Sequence, residues 1–307
     1  MCQRRVDGGR KVKVRTAVPG KNFVLNPGDT VAVIGCSDPI GESHRLQAEE
    51  CRKILEGWGL KVRMAASLKH GWWQGEKRGR ELTDFYGDAE VKAIFDLSGG
   101  DLANTALPYI DWKTVAAHPK PFWGYSDLTA LLNAIYAKTG QYGCLYQLRN
   151  LVSGEKQTQE KQRADFYRTV FQGEDALNGF SAVFLQGDSM EGTVVGGNLR
   201  CLLKLAGTPY FPDLSDKILF LESLGGGSWL TASLFGQLRL MGAFEKIRGL
   251  LMGTFTKLQE SGCSPDLEEI ILSAAPGGLP VAVTGEIGHG KDSKCLIVGG
   301  SLKMEAE

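Results

Sequence analysis

Apolar segments and segments of helical periodicity alternate along the first half of the chain. Residues 30–35, 60–65 and 91–97 show the apolar runs or the alternation that are typical of strands. Residues 46–55 and 78–85 place apolar side chains three or four positions apart, which predicts a helix in each. Strands that alternate with helices form a parallel sheet with helices on both faces, so the first half predicts an α/β domain.

A strand, a sharp turn and a helix are predicted within residues 120–137. The apolar run 121–123 precedes Gly124 and Ser126, and apolar side chains then recur at helical spacing. The Ser126 hydroxyl would lie at the carboxyl end of a strand, beside N–H groups of a helix start that can stabilise an oxyanion. The match to the G-x-S-x-G nucleophile elbow is partial, because Asp127 follows and the second glycine is missing. A serine that only caps the helix is the alternative.

Two predicted strands in the second half end near a titratable side chain. Glu222 closes the apolar run 217–222, where a carboxylate is either solvated at the sheet edge or placed for catalysis. His289 follows the predicted strand 279–283 and has a glycine on each side. A histidine in that setting packs against little locally, which favours a functional role over a place in the core.

Ser126, Glu222 and His289 occur in the chain order of nucleophile, acid and base that one class of hydrolase uses. Serine needs a base to take its proton, imidazole has a pKa near the working pH, and a carboxylate fixes the tautomer. Gly99 and Gly100 follow the predicted strand at residues 91–97 and offer either a second oxyanion donor or a tight turn with positive φ.

Composition and charge narrow the range of partners. Lys and Arg together number 35, as do Asp and Glu, so the chain lacks the basic field that nucleic-acid binding needs. The seven cysteines are scattered without a C-x-x-C pair, which favours reduced intracellular thiols. No apolar run approaches the ~18 residues that span a bilayer, and the N-terminus has no apolar signal core. We expect a cytoplasmic protein with neither nucleic acid nor membrane as partner.

Cofactor and metal signals are weak. The loop at residues 35–41 could hold a dinucleotide, but it departs from G-x-G-x-x-G, which disfavours a nucleotide-dependent oxidoreductase. His44, His70 and His118 lack metal-ligand spacing and receive no role. We therefore expect neither a cofactor nor a metal.

Changes in composition predict four segments. Residues 1–27 are basic and are predicted to be an extension, which either contacts an anionic partner or is a solvated tail. Residues 28–152 form an N-terminal domain with the nucleophile. The polar stretch within residues 153–185 predicts a linker with a helix, and residues 186–307 form a C-terminal domain with the acid and the base.

Ordered blocks between residues 29 and 300 resemble the LD-carboxypeptidase family, peptidase family S66. The blocks that carry the resemblance are Ser98-Gly-Gly-Asp101, Gly124-Tyr-Ser-Asp-Leu-Thr-Ala-Leu131, Gly196-Gly-Asn-Leu199, Ile218-Leu-Phe-Leu-Glu222 and Gly285-Glu-Ile-Gly-His-Gly290. The resemblance implies an N-terminal parallel-sheet domain of flavodoxin-like or amidotransferase-like type and a smaller C-terminal α/β domain, with the active site at the domain interface. It also implies a homodimer.

The resemblance assigns a role to each candidate. Ser126 is the nucleophile, His289 the base and then the acid, and Glu222 the carboxylate that orients it. The backbone N–H groups of Gly100 and Asp127 form the oxyanion hole. The implied reaction is metal-free release of a terminal D-amino acid from murein peptides.

Departures from the family pattern leave the substrate open. Residues 98–104 and 145–148 differ from the sequence that is usual in the family, at positions that border the pocket. Asp101, Asn104 and Trp229 are candidate substrate contacts, and Trp229 either stacks on a nucleobase or packs. The alternatives are a hydrolase of peptidyl-nucleotide antibiotics of the microcin C7 type and a ligand-binding homologue without activity.

Overall fold

The computed structural model describes residues 11–17 and 24–306. The strands of these residues are β1 (Lys11–Ala17), β2 (Thr30–Ile34), β3 (Lys61–Met64), β4 (Val91–Asp96), β5 (Phe122–Gly124), β6 (Gly143–Leu145), β7 (Gly179–Gln186), β8 (Ser189–Asn198), β9 (Lys217–Ser223), β10 (Gly249–Phe255), β11 (Val281–Val283), β12 (Leu296–Val298) and β13 (Ser301–Glu305). The α-helices are α1 (Glu42–Gly57), α2 (Ala66–His70), α3 (Gly75–Gly87), α4 (Trp112–Ala117), α5 (Thr129–Thr139), α6 (Lys156–Gln172), α7 (Leu199–Leu203), α8 (Ser228–Leu240), α9 (Thr256–Ser261) and α10 (Leu267–Ala274). Short 3₁₀ helices cover Ala103–Tyr109, Ser126–Leu128 and Leu148–Val152.

The first sheet has the strand order β12-β6-β5-β4-β2-β3. The predicted strands at residues 30–35, 60–65, 91–97 and 121–123 are confirmed as β2, β3, β4 and β5. Strands β3, β2, β4, β5 and β6 run parallel, whereas β12 pairs with β6 in the antiparallel sense. The sheet is therefore mixed rather than purely parallel, because a strand from the end of the chain extends its edge.

The second sheet closes into a barrel with the order β1-β13-β8-β9-β10-β11-β7. Strands β8, β9, β10 and β11 are parallel to their neighbours in this run, and the other pairs are antiparallel. Closure pairs β7 with β1, so this sheet has no free edge. The fold class of the molecule is therefore mixed α/β, because both sheets contain parallel and antiparallel strand pairs.

Strand β1 differs from the extension that we predicted for residues 1–27. It pairs with β7 and β13 inside the barrel. Val12 and Val14 are buried, and Lys13 between them is exposed, which is the two-residue period of a strand. The surrounding Lys and Arg residues mask this short alternation in the sequence. The rest of the predicted extension up to residue 23 lies outside the described residues.

The segment predicted as a linker, residues 153–185, contains α6 and most of β7. The helix agrees with the prediction, but β7 is a full member of the barrel. Phe180, Ala182 and Phe184 are buried on alternate positions of β7. The polar composition of residues 153–163 had indicated a linker, whereas the alternation that marks the strand starts only at residue 179.

The chain passes between the two sheets more than once. It starts in the barrel with β1, builds the first sheet with β2 to β6, returns to the barrel, and then adds β12 to the first sheet before β13. One hydrophobic cluster contains Ile34 and Tyr125 from the first sheet region together with Phe220 and Ile287 from the barrel region. The two sheets therefore share a core. No helix of the described residues is long and apolar enough to cross a membrane.

Candidate active site

Ser126 lies at the sharp turn between β5 and α5. Its φ is +57°, in the left-handed region that a residue with a side chain adopts at a cost. Gly124 permits this turn, because a Cβ at that position would lie 2.7 Å from the Cβ of Leu128. The structure thus contains the strand, turn and helix that the pattern predicted.

Ser126, His289 and Glu222 form a chain of hydrogen bonds. The Oγ of Ser126 is 3.1 Å from Nε2 of His289, and Nδ1 of the same ring is 2.6 Å from Oε2 of Glu222. Ser126 follows a strand of the first sheet, Glu222 lies near the end of β9, and His289 lies in the loop after β11. Both sheets therefore contribute side chains to one cluster.

Glu222 has no exposed surface, and both of its carboxylate oxygens have partners. Oε2 faces His289, and Nδ2 of Asn198 donates to Oε1 across 3.0 Å. Asn198 ends β8 directly opposite Glu222 in the parallel register of β8 and β9. We did not predict a site role for Asn198, although its position within the block Gly196-Gly-Asn-Leu199 was a usable signal.

Tyr125 is a second neighbour of His289 that the sequence did not indicate. The two rings pack edge to face, with 4.9 Å between their centroids. Burial and the nearby Glu222 carboxylate raise the pKa of Tyr125, so its hydroxyl stays protonated. The ring limits the space in which the imidazole can reorient.

Gly100 lies on the wall of the same cavity as Ser126. Its φ is +123°, and a Cβ there would overlap the carboxylate of Asp38, so glycine is required. Oδ1 of Asp38 accepts the backbone N–H groups of Asp101 at 2.8 Å and Leu102 at 3.0 Å. Asp38 thereby fixes the loop in which Gly100 lies.

The side chain of Asp127 is fully buried and joins three segments. Its carboxylate accepts hydrogen bonds from Ser37 Oγ at 2.6 Å, from the backbone N–H of Ala103 at 2.8 Å and from Lys204 Nζ at 2.5 Å. The carboxylate is therefore a structural group. The oxyanion role of the Asp127 backbone N–H stays a prediction.

Two buried charged side chains hold the loop after β2. Asp96 accepts the backbone N–H groups of Cys36 at 2.7 Å and Ser98 at 2.8 Å, and burial raises its pKa to about 6. The Arg78 guanidinium donates to the carbonyl of Cys36 at 2.7 Å and to that of Ser37 at 2.5 Å. Together they link the loops that follow β2 and β4.

The three candidate substrate contacts are not among the described residues that line the serine cavity. Asp101 forms an ion pair with Arg200, and this hydrogen bond lowers the pKa of the Asp101 carboxyl. Asn104 lies half-buried in the 3₁₀ helix Ala103–Tyr109, and Trp229 is 77% exposed at the start of α8. None of the three belongs to the described residues that line the cavity, whereas Leu224, just after β9, does.

The cavity beside Ser126 has a volume of about 490 Å³. Its walls come from the loops after β2, β4, β5, β6, β9 and β11, which are carboxyl ends of strands in both sheets. This is the edge at which ligands bind in open α/β sheets. His44, to which we assigned no role from the sequence, lies on its wall. The described residues contain no group of three or more His, Cys, Asp or Glu side chains that could hold a metal.

Comparison with known proteins identifies the family. The family model described as the LD-carboxypeptidase N-terminal domain matches residues 31–146, and the C-terminal domain model matches residues 191–304. A probable murein peptide carboxypeptidase of Bacillus subtilis is 31% identical, over 92% of this chain and 91% of the relative. The chain therefore belongs to the LD-carboxypeptidase family, peptidase family S66.

A second group of similar proteins is named for MccF. The microcin C7 self-immunity protein MccF of Escherichia coli is 26% identical, over 92% of each chain. The structure of MccF in complex with glutamyl sulfamoyl guanosine has a TM-score of 0.81 at 21% identity, over 94% of this chain and 99% of that one. The MccF-like protein of Bacillus anthracis gives 0.77 at 24% identity, over 94% and 100% of the two chains. These structures establish a common fold.

Proposed function

We propose that this chain is a serine LD-carboxypeptidase that uses Ser126, His289 and Glu222 in the cavity between its two sheets. The observation that carries the proposal is the chain of hydrogen bonds from Ser126 Oγ through the His289 ring to Glu222. Family membership supports an amide of murein peptides as the substrate, since the Bacillus subtilis relative is named for that activity.

The geometry supports the usual sequence of acyl transfer. Nε2 of His289 takes the proton of Ser126 Oγ as that oxygen attacks the carbonyl carbon, and Glu222 stabilises the imidazolium through Nδ1–H. The N–H groups of Gly100 and Asp127 donate to the oxyanion. The imidazolium then protonates the leaving amine, and water, deprotonated by His289, releases the acyl group from Ser126.

The proposal is tested with a murein tetrapeptide that ends in D-alanine. We expect the wild-type protein to release D-alanine and Ser126→Ala to lose activity by about 10⁴-fold or more. A serine-directed phosphonate should modify Ser126 with a stoichiometry of one phosphonate per chain. Turnover that persists in Ser126→Ala would rule out the mechanism, and a protein that reacts with neither reagent would be the ligand-binding homologue.

Hydrolysis of peptidyl-nucleotides is the second candidate function. The MccF relative of Escherichia coli, which matches over nearly the whole chain, favours it. A peptidyl-adenylate analogue incubated with the wild-type protein and with Ser126→Ala tests it directly. Cleavage of this compound at a higher kcat/KM than the tetrapeptide would assign the chain to this activity.

A further inference from the structure

Basic side chains dominate one side of the cavity beside Ser126. Arg149, Lys291 and His44 all line it, and Asp38 is the only carboxylate among the described residues of its wall. The three residues line the same cavity, and burial, then Arg149 and then Lys291, lower the pKa of His44. The permanent positive charges on this side are therefore those of Arg149 and Lys291.

The charge of Arg149 is only partly compensated by the described residues. It lies half-buried after β6, its Nε is buried without a hydrogen-bond acceptor, and burial lowers the pKa of its guanidinium more than Cys51 and Asp96 raise it. Arg78 is the contrast, since its buried guanidinium donates to carbonyls of Cys36, Ser37 and Trp73. The ammonium group of Lys204 is a second contrast, since it forms an ion pair with the carboxylate of Asp127. Because the Nε of this half-buried guanidinium has no protein acceptor, Arg149 is available to bind an anionic ligand in the cavity.

The strand order relates the loop of Arg149 to the loop of Ser126. β5, which precedes Ser126, lies between β4, which leads to Gly100, and β6, which leads to Arg149. The loops of Gly100 and Arg149 therefore follow strands on opposite sides of β5, so the proposed oxyanion donor and Arg149 would flank the serine from two sides. Lys291 belongs to the loop of His289, the group that protonates the leaving amine. This loop packs next to the Arg149 segment, because a Cβ at Gly154 would lie 3.1 Å from the Cβ of Lys291.

We propose that Arg149, assisted by Lys291, binds the free carboxylate of the amino acid that leaves, and that this contact makes the enzyme a carboxypeptidase rather than an endopeptidase. The inference rests on the proposed function. A guanidinium matches a carboxylate with two parallel hydrogen bonds, and the half-buried setting strengthens them. A substrate whose chain continues past the leaving residue, or ends in a carboxamide, has no charge to offer and leaves the guanidinium unpaired.

The test compares two substrates that differ only at the terminus, the tetrapeptide with a free carboxylate and the same peptide as its carboxamide. We expect the wild-type protein to prefer the acid in kcat/KM, and Arg149→Gln to lower kcat/KM for the acid by about 10- to 100-fold with little change for the amide. Arg149→Lys should recover part of the loss. Arg248→Gln, which removes an exposed cation paired with Asp216, is the matched control and should change neither value.

The outcomes separate this inference from the proposed function. Equal turnover of acid and amide by the wild-type protein, or an equal loss for both substrates in Arg149→Gln, would overturn the carboxylate site while hydrolysis stands. If neither peptide is cleaved, the proposed function fails, and calorimetric binding of the two peptides decides instead. Tighter binding of the acid that disappears in Arg149→Gln would then support the site, and equal binding would overturn it.

A second readout does not depend on turnover. Removal of the Arg149 charge should raise the pKa of His44 in the free protein, because one of the two repelling cations is gone. Titration of the His44 ring by NMR measures this, with His118, which does not line the cavity, as the internal reference. An unchanged His44 pKa in Arg149→Gln would show that the guanidinium does not face this wall and would overturn the assignment.

Discussion

The carboxylate of Glu222 has two hydrogen-bond partners of different chemistry. These partners determine how replacement of Glu222 by glutamine affects catalysis. In Glu222→Gln the amide oxygen can still accept from Asn198, which turns the NH₂ group toward Nδ1 of His289. Nδ1 must then accept, so the ring proton moves to Nε2 and the ring cannot take the proton of Ser126. We expect kcat to fall by about 10³- to 10⁴-fold with little change in KM.

The measurement is steady-state release of D-alanine by Glu222→Gln. Glu245→Gln, which changes an exposed carboxylate outside the cavity, is the control and should match the wild-type protein. A loss of less than tenfold in Glu222→Gln would mean that the tautomer of His289 is fixed by something other than this carboxylate.

Asp96 gives the protein a pH dependence of stability with a defined sign. Burial raises its pKa from 3.8 to about 6, and the N–H groups of Cys36 and Ser98 offset only part of that effect. Between these two values the folded protein keeps a proton that the unfolded chain has released, so stability falls as pH rises through this window. Over the whole window the loss is about 3 kcal/mol.

Urea unfolding of the wild-type protein and Asp96→Asn from pH 4 to pH 7 measures this contribution. The wild-type free energy of unfolding, relative to that of the variant, should decrease as pH rises toward 6 and then level off. Parallel curves for the two proteins would show that Asp96 has the same pKa folded and unfolded.

Much of the candidate site could be predicted residue by residue, and the remainder depends on tertiary structure. Ser126, Glu222 and His289 stand out because each follows an apolar run and their order matches a known chemistry. Arg149 and Asp38 have no such local signal. Their roles depend on which loops come together in the fold, since Arg149 lines the cavity and Asp38 shapes the turn at Gly100.

At the scale of elements, β1 closes the barrel through a two-residue alternation. Val14 is 1% exposed and lies between β7 and β13, whereas the side chain of Lys13 is exposed. Val14→Asp should bury an unpaired carboxylate and lower the unfolding free energy by about 3 kcal/mol or more. Lys13→Glu, one position away on the other face, should change it by less than about 0.5 kcal/mol.

Thermal and urea unfolding of both variants check this prediction. If Val14→Asp is as stable as Lys13→Glu, the pairing of β1 with its two neighbouring strands contributes little to the stability of the barrel.

Elements with a clear apolar run or period could be predicted, whereas two short strands that depend on their partners could not. β9 was recognisable by its continuous apolar run and α5 by apolar positions that recur along eleven residues. β6 and β12 have three residues each, too few to show a period, and form through pairing, of β6 with β5 and β12 and of β12 with β6. β1 and β7 were hidden by the polar composition of their surroundings.

At the scale of the whole molecule, α5 fixes the first sheet against the barrel. Asn133 donates from Nδ2 to the carbonyl of Gly196 and accepts the N–H of Gly196 at Oδ1, both across 2.8 Å. Thr129 Oγ1 accepts the N–H of Asn198 at 2.9 Å. Because α5 starts just after Ser126 and Asn198 contacts Glu222, these bonds hold Ser126 at a set distance from Glu222.

Asn133→Ala should therefore affect both stability and activity. Two buried backbone groups of Gly196 lose their partners, which costs about 2–4 kcal/mol. A small displacement of Ser126 from His289 should lower kcat by about 10- to 100-fold. Thr139→Ala, which removes a hydroxyl at the far end of α5, is the control. Full kcat in a destabilised Asn133→Ala would show that the site keeps its geometry without this link.

The exchange of strands between the two sheets has a consequence for how the protein folds and can be divided. The barrel needs β1 from before the first sheet, and the first sheet needs β12 from beyond most of the barrel. Neither sheet is complete until the chain has been made almost to its end. The strand pairings therefore join residues that are far apart in the sequence, and we expect the protein to fold slowly. Calorimetry should show one transition whose van't Hoff and measured enthalpies agree, rather than two. A cut near residue 150 would yield two fragments that each lack a strand, and they should regain structure only when mixed.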